Sequence, residues 1–114
     1  MVTTITREEL QQKLEHPRKT LVLETLSPKE YRRAHIRGAL NLPPDQVQTL
    51  ASELIPRKDL EVIVYDTGPG CDASERVAEE LTSMGYADVR RYEGGKTDWI
   101  QADLPISSED NIGA

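Results

Sequence analysis

Short runs rich in β-branched residues alternate with amphipathic stretches along the sequence, and this alternation constrains the fold more than any other feature. Residues 2–5 (VTTI), 20–24 (TLVLE), 60–65 (LEVIVY) and 88–92 (DVRRY) read as strands, the third most clearly. Helix signals lie between them. Thr6 and Glu9 make a capping-box pair, Leu10 and Leu14 share one helix face, and His16-Pro17 ends that helix. Ser27 caps a second, short helix to about Ala34, with Pro28 at its first position and Glu30 closing the box. His35 to Leu42 reads as a turn feeding a short strand. Pro43-Pro44 breaks it, and Asp45 is expected to cap a helix to about Leu54. Residues 73–84 place Val77, Ala78, Leu81 and Met84 on one helix face, with Gly85 as the stop. Gly94-Gly95 lead into a short helix around 97–102, and the tail SSEDNIGA is polar and expected to fray. Strands alternating with helices predict an α/β fold, a central and mostly parallel sheet flanked by helices in three layers. One domain is expected over 1–106 with a polar tail at 107–114, without internal repeat or linker.

At 114 residues one modest core is expected, without room for a separate cofactor domain beside a catalytic one. Lys and Arg number 14 against 20 Asp and Glu, a net charge of −6 that disfavours nucleic acid as a partner. A single cysteine, Cys71, excludes an intrachain disulfide and a Cys-rich zinc site. His16 and His35 have no metal-ligand spacing, so neither a metal nor a cofactor is expected. The N-terminal residues lack a signal pattern, and the apolar runs fall far short of a membrane span. The cytoplasm is the expected location.

In parallel sheets the site usually lies at the carboxyl ends of the strands, which directs attention to residues 66–72 (DTGPGCD) between strand and helix. A strand, a Gly-rich loop and a helix in succession make an anion cradle, because free N–H groups at the helix start point into the loop. Cys71 stands about two residues before that helix, where a thiolate is stabilised. The plainer alternative is a small, partly buried side chain.

Three stretches in order carry a family resemblance. SPKEYRRAHIRGALNLP (27–43) contains Glu30-Tyr31 and His35-Ile36-Arg37-Gly38-Ala39. VIVYD (62–66) enters the loop. YEGGKTDW (92–99) contains Gly94-Gly95 and Trp99. Together they resemble the rhodanese-like (sulfurtransferase-like) family over roughly residues 5–106. The resemblance implies the rhodanese-like α/β fold and, as chemistry, sulfur transfer. A cysteine thiolate takes the outer sulfur of a donor such as thiosulfate, and loop N–H groups hold the persulfide. The partners it implies are a sulfur donor or a protein.

The sequence departs from that pattern where the chemistry sits. The family's nucleophilic cysteine follows the strand directly, and here that position is Asp66. The basic residues of the family's loop are missing, as is the arginine of its Asp-x-Arg, which stands here as Glu24-Thr25-Leu26. Aligned through Ser74, Leu81 and Gly85, the loop is about two residues longer than usual. Gly68-Pro69-Gly70-Cys71 is similar to a family variant with a second cysteine in the loop. Asp66 cannot become a persulfide. Two like charges about 4 Å apart repel by roughly 4 kcal/mol at an effective dielectric near 20, so without a compensating cation Asp66 repels an anionic donor. Two readings stay open. In one, the loop is a binding or regulatory module in which Asp66 satisfies the loop amides. In the other, Cys71 is the nucleophile, held by the amides of 67–73, with Thr67, Gly68, Pro69, Gly70, Asp72 and Ala73 forming the substrate loop.

Other motifs resolve poorly. Asp66-Thr67-Gly68 resembles an aspartic-protease triplet, but that fold is all-β. A phosphoryl-accepting aspartate would need a second aspartate where Gly68 stands. Cys71 and Arg76 miss the Cys-x5-Arg spacing of cysteine phosphatases, and Gly95-Lys96-Thr97 lacks the leading glycine of a P-loop. His35 reads as a holder of the 35–39 turn rather than a general base, with Gly38 in that turn. Trp99 reads as a packing anchor, Arg90 and Arg91 as exposed strand residues, and Arg32, Arg33 and Arg37 as a solvated basic face.

Overall fold

A computed structural model describes residues 2–16 and 20–109. The elements run β1 (Thr3–Ile5), α1 (Arg7–Glu15), β2 (Thr20–Glu24), α2 (Pro28–Arg33), β3 (His35–Ile36), β4 (Leu40–Asn41), a 3₁₀ turn (Pro44–Gln46), α3 (Val47–Leu54), β5 (Glu61–Tyr65), α4 (Ala73–Ser83), β6 (Asp88–Tyr92), α5 (Gly95–Gln101) and β7 (Ile106–Ser107). Five strands form one sheet in the order β1-β6-β5-β2-β4, with every neighbouring pair parallel. β5 lies at its centre, pairing Val64 with Leu23 on one side and with Arg91 on the other. The end of β5 therefore opens onto the middle of the sheet's carboxyl edge.

Period-2 alternation divides the core into two layers. Val62 and Val64 pack with Leu23, Val47, Ala51, Val77, Ala78 and Leu81, beneath α3 and α4. Ile63 and Tyr65 pack on the opposite face with Leu10, Val22, Tyr92 and Trp99, beneath α1 and α5. This is the three-layer α/β arrangement that the alternating pattern predicts.

Local chemistry sets the element ends. Thr6 and Glu9 form the reciprocal capping box. At the end of α4, Gly85 (φ +99) allows its own N–H to reach the Thr82 carbonyl and that of Tyr86 to reach Leu81, a Schellman motif. Four details differ from the sequence expectations. Ser27 caps α2, but the Glu30 carboxylate turns to Arg33 at 3.5 Å instead of closing a box. Pro44 opens a 3₁₀ turn at its own fixed φ, so Asp45 lies inside a turn and α3 starts at Val47. α5 starts at Gly95, two residues early, because the left-handed Gly95 (φ +71) turns the chain directly into the helix. Ser107 pairs with His35 in an antiparallel ladder, and Glu109 N–H donates to the Arg32 carbonyl, so the chain is tied down past residue 106. His16 ends α1. Pro17 lies outside the described residues, as do 110–114 of the predicted tail.

Candidate functional site

Asp66 is the first residue beyond β5, on the face that carries Val62 and Val64, and it is fully buried. Its carboxylate is enclosed by donors. Oδ1 accepts from Gly68 N–H at 3.0 Å, and Oδ2 accepts from both Ser74 N–H and the Ser74 hydroxyl at 2.8 Å. Ser74 stands in the first turn of α4, where backbone N–H groups have no intrahelical acceptor. Asp66 thus caps that helix from across the loop. The cradle expected over 67–73 is centred instead on Gly68 and Ser74, and the chain's own side chain occupies it.

The cation that the loop lacks comes from β6. Arg91, expected at the surface, is 8 % exposed. Its Nε donates to Ser74 Oγ at 2.7 Å, and its Nη2 donates to the Cys71 carbonyl at 2.9 Å while lying 3.9 Å from Asp66 Oδ2. Nη1 faces the exposed Glu93 at 3.6 Å. The signal for Arg91 was present in the sequence. β6 is an interior strand of a parallel sheet, and its last two residues, Arg91 and Tyr92, are buried, so a charge at 91 requires a buried partner. Arg90 points to the other face and lies between Asp88 and Glu61.

The loop itself is a tight turn. Cys71 N–H donates to the Gly68 carbonyl, Pro69 holds the second position, and Gly70 takes the third at φ +94, as a type II turn requires. Thr67, Pro69, Gly70 and Asp72 are exposed, while Cys71 and Ala73 are half-buried. The free Cys71 thiol is thus on the rim and Asp66 beneath it.

The loop rests on the start of α5. Lys96 N–H donates to the Asp66 carbonyl and Thr97 N–H to that of Thr67. The backbones approach so closely that a Cβ on Gly95 would lie 2.6 Å from Gly68, and one on Gly68 would lie 2.8 Å from the Gly94 carbonyl. A second buried ion pair stands alongside. Glu24, at the end of β2, binds Lys96 Nζ at 3.0 Å and accepts the Tyr65 hydroxyl at 2.8 Å. Burial pushes the Glu24 carboxyl above its ordinary range against the pull of Lys96, and burial beside Glu24 likewise raises the Tyr65 phenol. Tyr65 in turn accepts Ile36 N–H.

His35, Gly38 and Trp99 stand apart from the loop. His35 is buried, stacked on Tyr31 at 3.8 Å, with Nδ1 donating to the Tyr31 carbonyl. Gly38 (φ +91) makes the turn that brings Ala39 N–H to the Ile36 carbonyl. Trp99 is buried in the α1–α5 layer, and its Nε1 donates to the Pro105 carbonyl. A cavity of about 400 Å³ in that layer, lined by Leu14, Leu21, Val22, Arg37, Trp99 and Pro105 among others, includes no residue of the loop. Arg32, Arg33 and Arg37 are exposed. Among the described residues no group of three or more His, Cys, Asp or Glu side chains could hold a metal ion, and no helix is long and apolar enough to cross a membrane.

Fold and site together define a parallel α/β domain with an anion cradle at the carboxyl end of its central strand. The chain belongs to the rhodanese-like domain family, whose model matches residues 6–102. It is 33 % identical over 106 residues to the uncharacterized protein YibN of Escherichia coli K12, covering 92 % of this chain and 72 % of that one. It is 29 % identical over 109 residues to the HTH-type transcriptional regulator Rv0324 of Mycobacterium tuberculosis, covering 96 % of this chain and 46 % of the relative. Identity to the thiosulfate sulfurtransferase PspE of E. coli K12 is 33 % over 72 residues, 60 % of this chain and 64 % of that one. Among solved structures, a thiosulfate sulfurtransferase from Pseudomonas aeruginosa superposes with a TM-score of 0.85 at 26 % identity, covering 97 % of this chain and 21 % of that one.

Proposed function

We propose that this is a rhodanese-like domain whose loop no longer performs sulfur transfer from thiosulfate and serves as a binding or regulatory module toward a protein partner. One observation carries the reading. The buried Asp66 carboxylate takes the Gly68 and Ser74 donors, and Arg91 balances its charge within the domain. No thiol stands at that position, and those donors are already engaged. The outer face of the loop (Thr67, Pro69, Gly70, Asp72) is exposed and carries no cation, which suits a protein surface better than a dianionic donor. The relative named as a transcriptional regulator supports the same reading, since nearly the whole of this chain is similar to less than half of that protein.

A second reading has its own observation. The Cys71 thiol is free and partly accessible on a pinned turn, and one relative is named as a sulfurtransferase. In that reading the Cys71 thiolate attacks the outer sulfur of a low-molecular-weight persulfide. The S–S bond breaks, the donor leaves as a thiolate, and Cys71 carries the persulfide.

Intact-protein mass spectrometry separates the two. Protein is incubated with thiosulfate and, separately, with a small-molecule persulfide. The expected result is no added sulfur from either donor, from a folded protein whose thiol still alkylates. A cyanide-reversible gain of one sulfur mapped to Cys71 would overturn the binding-module reading in favour of the sulfur carrier.

A further inference from the structure

We infer that Arg91 is the positioning residue of the 66–72 loop and that it sets, from β6, where Cys71 and the start of α4 are presented. The inference rests on the reading above that this loop is the working surface. It concerns a residue that no loop motif contains.

The geometry runs in one direction. Ser74 has one hydroxyl proton, and Asp66 Oδ2 takes it. The Ser74 oxygen is then free to accept, and Arg91 Nε supplies the proton. The order Arg91 to Ser74 to Asp66 is therefore fixed, and Arg91 holds the Ser74 hydroxyl in the rotamer that donates to Asp66. The same guanidinium uses Nη2 on the Cys71 carbonyl. One planar fork thus grips the loop at both ends, through Ser74 at Asp66 and directly at Cys71. Its side chain is 10 % exposed and springs from an interior strand, so the fork has a rigid base. The Gly68–Cys71 turn has one internal backbone hydrogen bond across it; Asp66 and the start of α5 hold its first half, and Arg91 holds the Cys71 end.

The test uses Arg91→Met, Arg91→Lys, Asp66→Asn and the double Asp66→Asn/Arg91→Met variant in the full chain. Two readouts go beyond stability. Amide hydrogen exchange is followed at Gly68, Cys71 and Ser74, with Val22 and Val64 of the sheet as internal references. Cys71 alkylation by a neutral reagent is followed as a pH profile, because its high-pH plateau no longer depends on the ionised fraction and tracks access together with the thiolate's nucleophilicity, which changes less steeply. In Arg91→Met, protection at the three loop amides is expected to fall about tenfold more than at the references. The alkylation plateau, corrected for global unfolding, is expected to rise by a similar factor. The double variant is expected to lose little more loop protection than either single change, because the residues act as one unit. A uniform loss over loop and sheet amides, with an unchanged plateau, would overturn the inference and leave Arg91 as a core counter-ion. Should Arg91→Met not fold, Arg91→Lys decides. It keeps the charge without the fork, and wild-type loop protection in that variant would overturn the positioning role equally. A persulfide on Cys71 of the wild-type protein would refute the binding-module reading yet leave these readouts unaffected, so the two failures are distinguishable.

Discussion

Asp66→Asn is the sharpest perturbation of this domain, because it changes charge at almost constant shape. The wild-type carboxylate is fully buried and accepts three hydrogen bonds, with Arg91 at 3.9 Å. An asparagine keeps one acceptor oxygen. Its NH2 group must then face either Gly68 N–H or the two Ser74 donors, donor against donor. The Arg91 guanidinium loses its buried carboxylate at the same time. Removing one partner of a buried ion pair costs about 3–5 kcal/mol. At about 2.1 cal/mol/K per residue, 114 residues give an unfolding entropy of about 0.24 kcal/mol/K, so Tm should fall by about 13–21 °C. A domain of this length is stable by about 6–17 kcal/mol, so the variant should still fold when cold. Thermal unfolding followed by circular dichroism measures the shift. Asp72→Asn is the control, an exposed acid in the same loop whose side chain makes no capping bond, and it should move Tm by no more than about 2 °C. A fall of less than about 4 °C in Asp66→Asn, near 1 kcal/mol, would refute the account of Asp66 as the electrostatic anchor of the loop.

Three further outcomes are expected. Gly95→Ala places a methyl 2.6 Å from Gly68 in a left-handed residue, and should cost about 2–4 kcal/mol in urea unfolding, whereas a neutral effect would contradict the close approach of α5 to the loop. The Glu24 carboxyl is raised above 4.5 by burial, so just above that value the native state binds more protons than the unfolded one. Glu24 therefore makes stability decline as pH rises through that window, and Glu24→Gln should remove this decline; parallel pH profiles for the two proteins would show the assignment to be mistaken. Asp66→Cys should produce no thiocyanate from thiosulfate and cyanide, because a side chain at 66 is enclosed beneath the Gly68–Cys71 turn; turnover by that variant would mean that only the missing thiol silences the loop.

Much of the fold was legible because local and global preferences agree. The 60–65 run, the Thr6–Glu9 box and the Gly85 stop each carry their own chemistry, and each appears where the residues place it. Asp45 does not cap α3, because the preceding Pro-Pro outweighs a good capping residue. The strand at Ile106–Ser107 leaves no sequence signal, because two residues cannot show alternation, and only its pairing with β3 defines it. The strand–glycine–helix order marks the loop but not its wiring. Ser74 and Arg91 are 17 residues apart, and Lys96 and Glu24 are 72 apart, so neither pair leaves a periodic trace. A charge on an interior strand was the one available clue, and it demands a partner without naming it.

The parallel pairing of β1 with β6 also governs when the sheet can be completed. Thr3 lies beside Arg90, a separation of 87 residues (90 − 3), so β1 has no neighbour in the sheet until β6 exists. Closing a loop of that length is slow, and on a growing chain β1 must wait until residues 88–92 have emerged. β5 and β2, in contrast, can pair as soon as residue 65 has emerged. Assembly should therefore spread outward from the β2–β5 pair, and the β6 strand that brings Arg91 under the loop is the same strand that finally seats β1.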